Sequence, residues 1–300
     1  MKKEAYFISS TYVNKIHCLI RIPDEGEIKG IVQIAHGVAE HIGRYEEFAA
    51  FLCSHGYIVC GNDHLGHGLS VESPAELGFI AEQDGDVRLV DDMHILYNIM
   101  HKKYPTLPYW LFGHSMGSLC ARIYASHFAE ELSGVIFCGT GEAPAAALLA
   151  VDPINAAVER FGARAAVPGN IFAIVNKFAV KDARTKNDWL SVNAENVDRY
   201  NSDPLCGFPL SLSGLRDTLV LATKASDISI PPELPVMLIS GAKDPVGLNG
   251  KSVIDVCEKL EKAGSKPVVI LYPGDRHEIL NEDDREKVFN DVLKFIEKKI

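Results

Sequence analysis

The 300-residue chain lacks any long hydrophobic run. Its longest candidate, Ala143 to Val151, spans nine residues and contains a proline, well short of the roughly 18 that a membrane-spanning helix needs. It also lacks an excess of positive charge: 30 Lys and Arg stand against 40 Asp and Glu, a net charge of −10. Nucleic-acid affinity rests on cations that displace counterions from phosphate, so no nucleic-acid partner is expected. The seven cysteines are odd in number and form no Cys-x-x-Cys, which indicates neither a disulfide scaffold nor a zinc knuckle. Lys2 and Lys3 run directly into Glu4 and an alternating segment, with no apolar core of a signal peptide. No internal repeat is present. These absences make a cytoplasmic globular protein the expectation, and they name no activity.

What is present is a change of rhythm. The first 22 residues alternate in strand fashion, with Tyr6 and Ile8, then Val13, Ile16, Cys18 and Ile20. From Lys29 onward, short apolar runs alternate with helix-length stretches, the pattern of a mostly parallel sheet with crossover helices. The runs are Gly30–Ala35, Tyr57–Cys60, Tyr109–Phe112, Gly134–Cys138, Pro235–Ser240 and Pro267–Tyr272. Helices are predicted near 44–55, 85–103, 116–129, 250–263 and 283–299. One interval breaks the alternation. Between Cys138 and Pro235 the chain turns Ala-rich, punctuated by Pro144, Pro153, Pro168, Pro204 and Pro209. It reads as a helical subdomain over 142–210, inserted into a body made of 1–141 and 211–300. Eight acidic and seven basic residues give the insertion a charge of −1 and leave −9 on the body.

The sharpest local feature is Gly113-His114-Ser115-Met116-Gly117. Gly-x-Ser-x-Gly alone is weak, with about 0.1 chance matches expected in such a chain. Here an apolar run enters it at Tyr109–Phe112, and residues with helical spacing leave it. A strand-to-helix turn this tight strains the serine backbone and needs small neighbours; it leaves the hydroxyl exposed beside the first N–H groups of the helix. The plainer reading is a turn whose serine caps a helix.

A serine hydroxyl becomes a nucleophile when a base takes its proton and a third group orients that base. Asp244 follows the run Pro235–Ser240 and His277 follows the run Pro267–Tyr272. Both positions lie past the carboxyl ends of strands, where parallel sheets place their sites. Among the 11 histidines, His277 stands out by this position. Glu142, after Gly134–Cys138, is the rival acid; Asp244 is preferred because the insertion begins at Glu142. Asp275 reads as part of the turn before His277. The oxyanion of an acyl-transfer intermediate needs two N–H donors. Met116, just after the nucleophile, is one candidate. Val38 is the other, with His36-Gly37 before it and Gly37 expected to let the backbone turn.

These segments resemble the α/β-hydrolase fold, and within it the monoacylglycerol lipase and lysophospholipase family. The matching residues are His36-Gly37-Val38-Ala39-Glu40-His41 with Arg44-Tyr45, Asp63-His64-Leu65-Gly66-His67-Gly68-Leu69-Ser70, and Gly113–Gly117, with Asp244 and His277 at the expected places. In the insertion little beyond Asn201-Ser202-Asp203-Pro204-Leu205 matches. The resemblance implies a metal-free, cofactor-free serine hydrolase of carboxylic esters. Ser115, Asp244 and His277 would be its triad, Val38 and Met116 would hold the oxyanion, and His36, Gly37, Gly113, His114 and Gly117 would support them. It also implies a cap over the acyl-chain pocket.

Other readings follow from the residues. Asp63, His64 and His67, with His36 and His41, are zinc-ligand types, but their spacing is not that of a helical pair and no coherent third ligand emerges. In the insertion, Ile171, Ile174, Val175 and Phe178 form an amphipathic stripe followed by Lys177, Lys181, Arg184 and Lys186, which suits either packing on the body or transient contact with a membrane surface. The same triad also serves short-chain esters, thioesters or N-terminal peptide bonds, because fold does not fix substrate. A non-catalytic binding module is the remaining alternative. Oligomeric state is not legible.

Overall fold

Buried parallel strands are apolar on both faces, and the sequence supplies five of them in which every residue is buried. These are β3 (Gly30–Ala35), β4 (Tyr57–Asn62), β5 (Tyr109–His114), β6 (Gly134–Cys138) and β7 (Val236–Gly241). The computed structural model describes residues 1–143, 145–167 and 180–298. The alternating N-terminal segment forms a hairpin of β1 (Lys2–Ile8) and β2 (Lys15–Arg21). With β8 (Val268–Tyr272) the strands make one eight-stranded sheet in the order β1-β2-β4-β3-β5-β6-β7-β8. The pairs β1–β2 and β2–β4 are antiparallel and every other pair is parallel.

Helices cover both faces. They are α1 (Glu46–Ser54), α2 (Gly85–Lys103), α3 (Met116–His127), α4 (Ala145–Phe161), α5 (Ala194–Ser202), α6 (Leu212–Ser226), α7 (Lys251–Lys262) and α8 (Arg285–Glu297). On one face Leu89, Met93, Tyr124, Leu221 and Val256 pack on Ile31, Ile58, Leu111, Val135 and Leu238. On the other, Phe48, Leu52, Phe289 and Val292 pack on Val32, Val59, Phe112 and Ile239. The ring of Phe48 lies 5.2 Å from that of Phe112 and 5.1 Å from that of Phe289. Alternate residues of each strand thus feed two separate cores, a consequence of the two-residue side-chain period.

The structure departs from the sequence reading in two places. Helix α6 was not anticipated, because the β-like run Thr218-Leu219-Val220-Leu221 masks its helical period. Its start is set by Ser211, whose side chain accepts from the N–H of Gly214. Pro153, read as punctuation, sits inside α4, and α4 packs along α6. The stripe of Ile171, Ile174, Val175 and Phe178, together with Lys177, lies outside the described residues. Among the described residues, no helix is long and apolar enough to cross a membrane.

The strand order fixes where a site belongs. From β3 the chain moves out to β4, then crosses back to β5 on the other side of β3. The loops leaving β3 and β5 therefore diverge at the carboxyl end of the sheet and open a crevice there.

Candidate active site

Strand β5 delivers Ser115 into that crevice through a turn built on two glycines. A Cβ on Gly113 would sit 2.3 Å from the carbonyl oxygen of Gly117, and one on Gly117 would sit 2.1 Å from that of Ala35. Only residues without side chains let α3 start this close to β3 and β5. Ser115 adopts φ 52°, ψ −121°, a strained backbone for a residue with a Cβ. Its N–H donates to the carbonyl of Cys138 at 2.9 Å, tying the turn to β6. Met116 and Gly117 begin α3, so their N–H groups are among the first-turn donors that lack intrahelical acceptors.

The loop after β3 meets this turn. The left-handed residue of this loop is Ala39, with φ 54°. Gly37 is required for closeness. A Cβ there would stand 2.6 Å from Glu40 Oε1 and 3.1 Å from the Cβ of Ser115. Its N–H donates to Glu40 Oε1 at 2.6 Å. Val38 follows and lines the space around Ser115 together with Met116. His36 is a bracket: its Nε2 accepts the N–H of His64 at 2.9 Å, so Nδ1 carries the proton and donates to the carbonyl of Gly37 at 2.7 Å. Burial, reinforced by His64 and His67, pushes its pKa well down, and it stays neutral.

The other two predicted residues are joined by the loops after β7 and β8. Ala242 N–H donates to Tyr272 O at 2.8 Å and Lys243 N–H to Asp275 O at 2.9 Å. A Cβ on Gly241 would meet Arg276 O at 2.0 Å, so glycine lets these loops touch. The zipped loops set His277 Nδ1 2.9 Å from Asp244 Oδ2. Asp244 is fully buried and also accepts from Val246 N–H at 2.8 Å and Ser240 Oγ at 3.2 Å. Burial by itself lowers the pKa of His277; the charge and hydrogen bond of Asp244 more than offset this, and the net shift is upward. The ring of His114 lies 4.7 Å from that of His277, and burial holds His114 neutral with a pKa of about 4. Glu142, the rival acid, is engaged elsewhere: Arg122 Nη2 donates to it at 2.8 Å and Lys259 pairs with its other oxygen.

A buried network beside the site was only partly legible in the sequence. Glu40 Oε2 accepts from Arg44 at 2.8 Å, while Glu40 Oε1 accepts from Tyr45 Oη at 2.8 Å. Arg44 makes a two-pronged ion pair with Glu278, the residue after His277. Asn196 of α5 donates to Glu278 at 2.7 Å, and the ring of Tyr200 lies 4.9 Å from the Arg44 guanidinium. Burial would raise the carboxyl pKa of Glu278, but Arg44 holds it well below the usual carboxylate range. Trp189 packs 5.1 Å from the ring of His277. The Glu40–Arg44 spacing of four was a usable signal. Glu278, Asn196 and Trp189 carried none.

Among the described residues, spaces open on two sides of Ser115. A cavity of about 190 Å³ runs past Leu119, Ala143, Ala222 and Val246. A constricted one of about 20 Å³ lies on the side of Glu40, Glu278, Tyr200 and His277.

Most of the residues considered as metal ligands have other partners: His36 and His41 are bonded through both ring nitrogens and His67 Nδ1 meets the carbonyl of Leu65 at 2.9 Å, while the ring nitrogens of His64 are buried without a hydrogen bond. Asp63 accepts from Ile42 N–H and Leu69 N–H, each at 2.8 Å, and meets His17 Nδ1 at 2.8 Å. Among the described residues the one cluster of metal-ligand types is His41, Asp203 and Cys206. His41 Nδ1 accepts Gly43 N–H at 3.2 Å, so its proton sits on Nε2, 2.9 Å from Asp203. That tautomer answers the carboxylate and not a cation, and the cluster fits a metal poorly.

Comparison with known proteins agrees with this architecture. Residues 26–284 match the family described as serine aminopeptidase, S33. The chain is 29% identical over 272 residues to a monoacylglycerol lipase of Mycolicibacterium smegmatis, covering 89% of this chain and 88% of that protein. It is 30% identical over 229 residues to human monoglyceride lipase, covering 73% of this chain and 66% of the relative. Among solved structures, a thermostable carboxyl esterase from Bacillus coagulans in complex with glycerol superposes with a TM-score of 0.88 at 29% identity, covering 99% and 98% of the two chains.

Proposed function

Because the chain belongs to the serine aminopeptidase S33 family of α/β-hydrolases, we propose that it is a serine ester hydrolase acting on monoacylglycerols or lysophospholipids through an acyl-enzyme. Ser115 attacks the ester carbonyl while His277 Nε2 takes its proton. Asp244, bound to Nδ1, fixes the tautomer and stabilises the imidazolium that forms. The N–H groups of Val38 and Met116 receive the oxyanion. His277 then returns the proton to the leaving alcohol, and water repeats the sequence on the acyl-enzyme. No cofactor enters this chemistry.

The observation that carries the reading is the buried His277–Asp244 pair at 2.9 Å, set beside a strained serine that opens onto an apolar cavity. That cavity of about 190 Å³ suits an acyl chain. The relatives named as monoacylglycerol lipases and the glycerol-bound esterase support a glyceryl-type alcohol. Cleavage of an N-terminal peptide bond, which the family name suggests, calls for a carboxylate free to bind an α-ammonium group. Glu40 and Glu278, the carboxylates lining the constricted space, are both paired with Arg44, which favours a neutral ester. In this reading residues 142–210 form a cap on the body, tethered by hydrogen bonds such as Gly207 N–H to Ala39 O at 2.9 Å. All seven cysteines are unpaired, which supports a reducing, cytoplasmic setting.

The test is a chain-length series of p-nitrophenyl esters run beside monoacylglycerol, lysophosphatidylcholine and a dipeptide amide. Preference for the lipid esters over the amide is expected; preference for the amide would reverse the assignment.

A further inference from the structure

The β1–β2 hairpin displays apolar side chains in a way that the ester chemistry does not use. Tyr12 is 87% exposed and Val13 79%, with Tyr6 at 56% and Ile8 at 53% on the adjoining edge strand. This display is rigid. Ser9 Oγ donates to Asp92 Oδ2 at 2.8 Å and Ser10 N–H to Asp92 Oδ1 at 2.6 Å, and Asp92 is buried. Arg88 donates to the carbonyl of Ser10 at 3.2 Å. Inside the turn, Tyr12 N–H bonds Ser9 O at 2.8 Å and Thr11 Oγ1 bonds Asn14 Oδ1 at 2.9 Å. Tyr12 is held at φ 64°, a left-handed backbone that disfavours a bulky residue. A strained, fully braced turn that points two apolar side chains into water calls for a partner.

Its location and charge indicate which partner. Cys18 pairs with Asn62 at the end of β4, and Ile8 pairs with Lys15. The turn therefore projects beyond the carboxyl end of the sheet, the same end as Ser115, about three strand spacings or roughly 14 Å to the side. Residues 1–22 hold four Lys or Arg and one Glu, a local +3 in a chain of −10. Lys2 and Arg21 pair with Glu46, and Lys3, in register with Ile20, lies at the far end of the hairpin; Lys15, opposite Ile8, is the exposed cation at the base of the turn. Lys15 borders a groove of about 330 Å³ with Tyr6, Phe7 and Ile8. An apolar tip with a lysine at its base is the chemistry of an interface with anionic lipid. The charges at Lys2, Lys3 and Glu4 along the free edge act against pairing with another strand.

We propose that the β1–β2 hairpin docks on an anionic lipid surface, Tyr12 and Val13 entering the headgroup layer while Lys15, at the base of the turn, meets its charge. The purpose of docking rests on the lipid-ester reading above, since it brings the crevice to the surface where such substrates lie. The full chain is floated with vesicles of phosphatidylcholine containing about one-third phosphatidylglycerol, with pure phosphatidylcholine vesicles as control. The wild type is expected to float with the anionic vesicles and to be released by high salt. Tyr12→Asn/Val13→Ser, in which Asn suits the left-handed backbone, is expected to lower vesicle partition about tenfold or more. Its kcat/KM on water-soluble p-nitrophenyl butyrate should stay unchanged. A wild type that stays unbound, or a double variant that floats equally well, overturns the proposal. So does a dimer that the double variant dissolves without any flotation. Flotation by a protein that cleaves no ester would refute the hydrolase reading and leave docking standing.

Discussion

Arg44→Met tests whether the buried network beside the crevice holds the loops together. The side chains of Arg44, Glu40 and Glu278 are 9%, 5% and 3% exposed. Removing the cation strands two carboxylates in a site with little water, a change that costs about 3–5 kcal/mol when a buried pair is broken. For a chain of this size that corresponds to roughly 10 °C of Tm. Arg199→Met is the control: it breaks the ion pair with Glu195, whose side chains are 61% and 80% exposed, and should cost no more than about 0.5 kcal/mol. Calorimetry of both variants near neutral pH makes the comparison. Its pH dependence has a definite sign. Arg44 depresses the Glu278 carboxyl pKa, so the stabilisation is complete above the unfolded value of about 4.3 and is lost as pH falls through the lower folded value. The gap between wild type and Arg44→Met should therefore narrow in acid. An Arg44→Met variant less than about 1 kcal/mol below wild type, or a gap that widens in acid, would refute the argument.

Three further outcomes are expected. Asp244→Asn should lower kcat by about 10⁴ by leaving His277 in the wrong tautomer, whereas Glu142→Gln should keep activity within a few fold; the reverse order in steady-state assays would make Glu142 the acid. Gly37→Ala should lower kcat by about 10² with little change in KM, because its Cβ would press on Glu40 and Ser115 at 2.6 and 3.1 Å; wild-type kcat would separate that loop from oxyanion binding. Leu119→Trp, filling the cavity of about 190 Å³, should depress turnover of long-chain esters while sparing short ones, and an unchanged chain-length profile would move the acyl site elsewhere.

How far the sequence reaches depends on how local each cause is. The parallel strands were legible because burial on both faces writes a continuous apolar run, as in Gly134–Cys138. Ser115 was legible because its strained turn needs Gly113 and Gly117 within two residues. Asp244 and His277 were placed by their position after strands, and the structure sets them in contact. Helix α6 escaped because Thr and Val in its middle imitate a strand. The partnership of Arg44, Asn196 and Glu278 escaped for a different reason. It joins residues up to 234 positions apart, and its geometry exists only once the loops after β3 and β8 meet α5. Gly37 was picked out as the residue that lets the loop turn; the close approach of Glu40 and Ser115 that makes its missing side chain necessary exists only in three dimensions.

The most direct measurement of the central claim is intact-mass and peptide mass spectrometry after treatment with a fluorophosphonate, for wild type and Ser115→Ala. The account predicts one covalent adduct, mapped to Ser115, on the wild type, and an unlabelled, folded, inactive Ser115→Ala. A Ser115→Ala variant that still turns over ester, or an adduct on another residue, would contradict it.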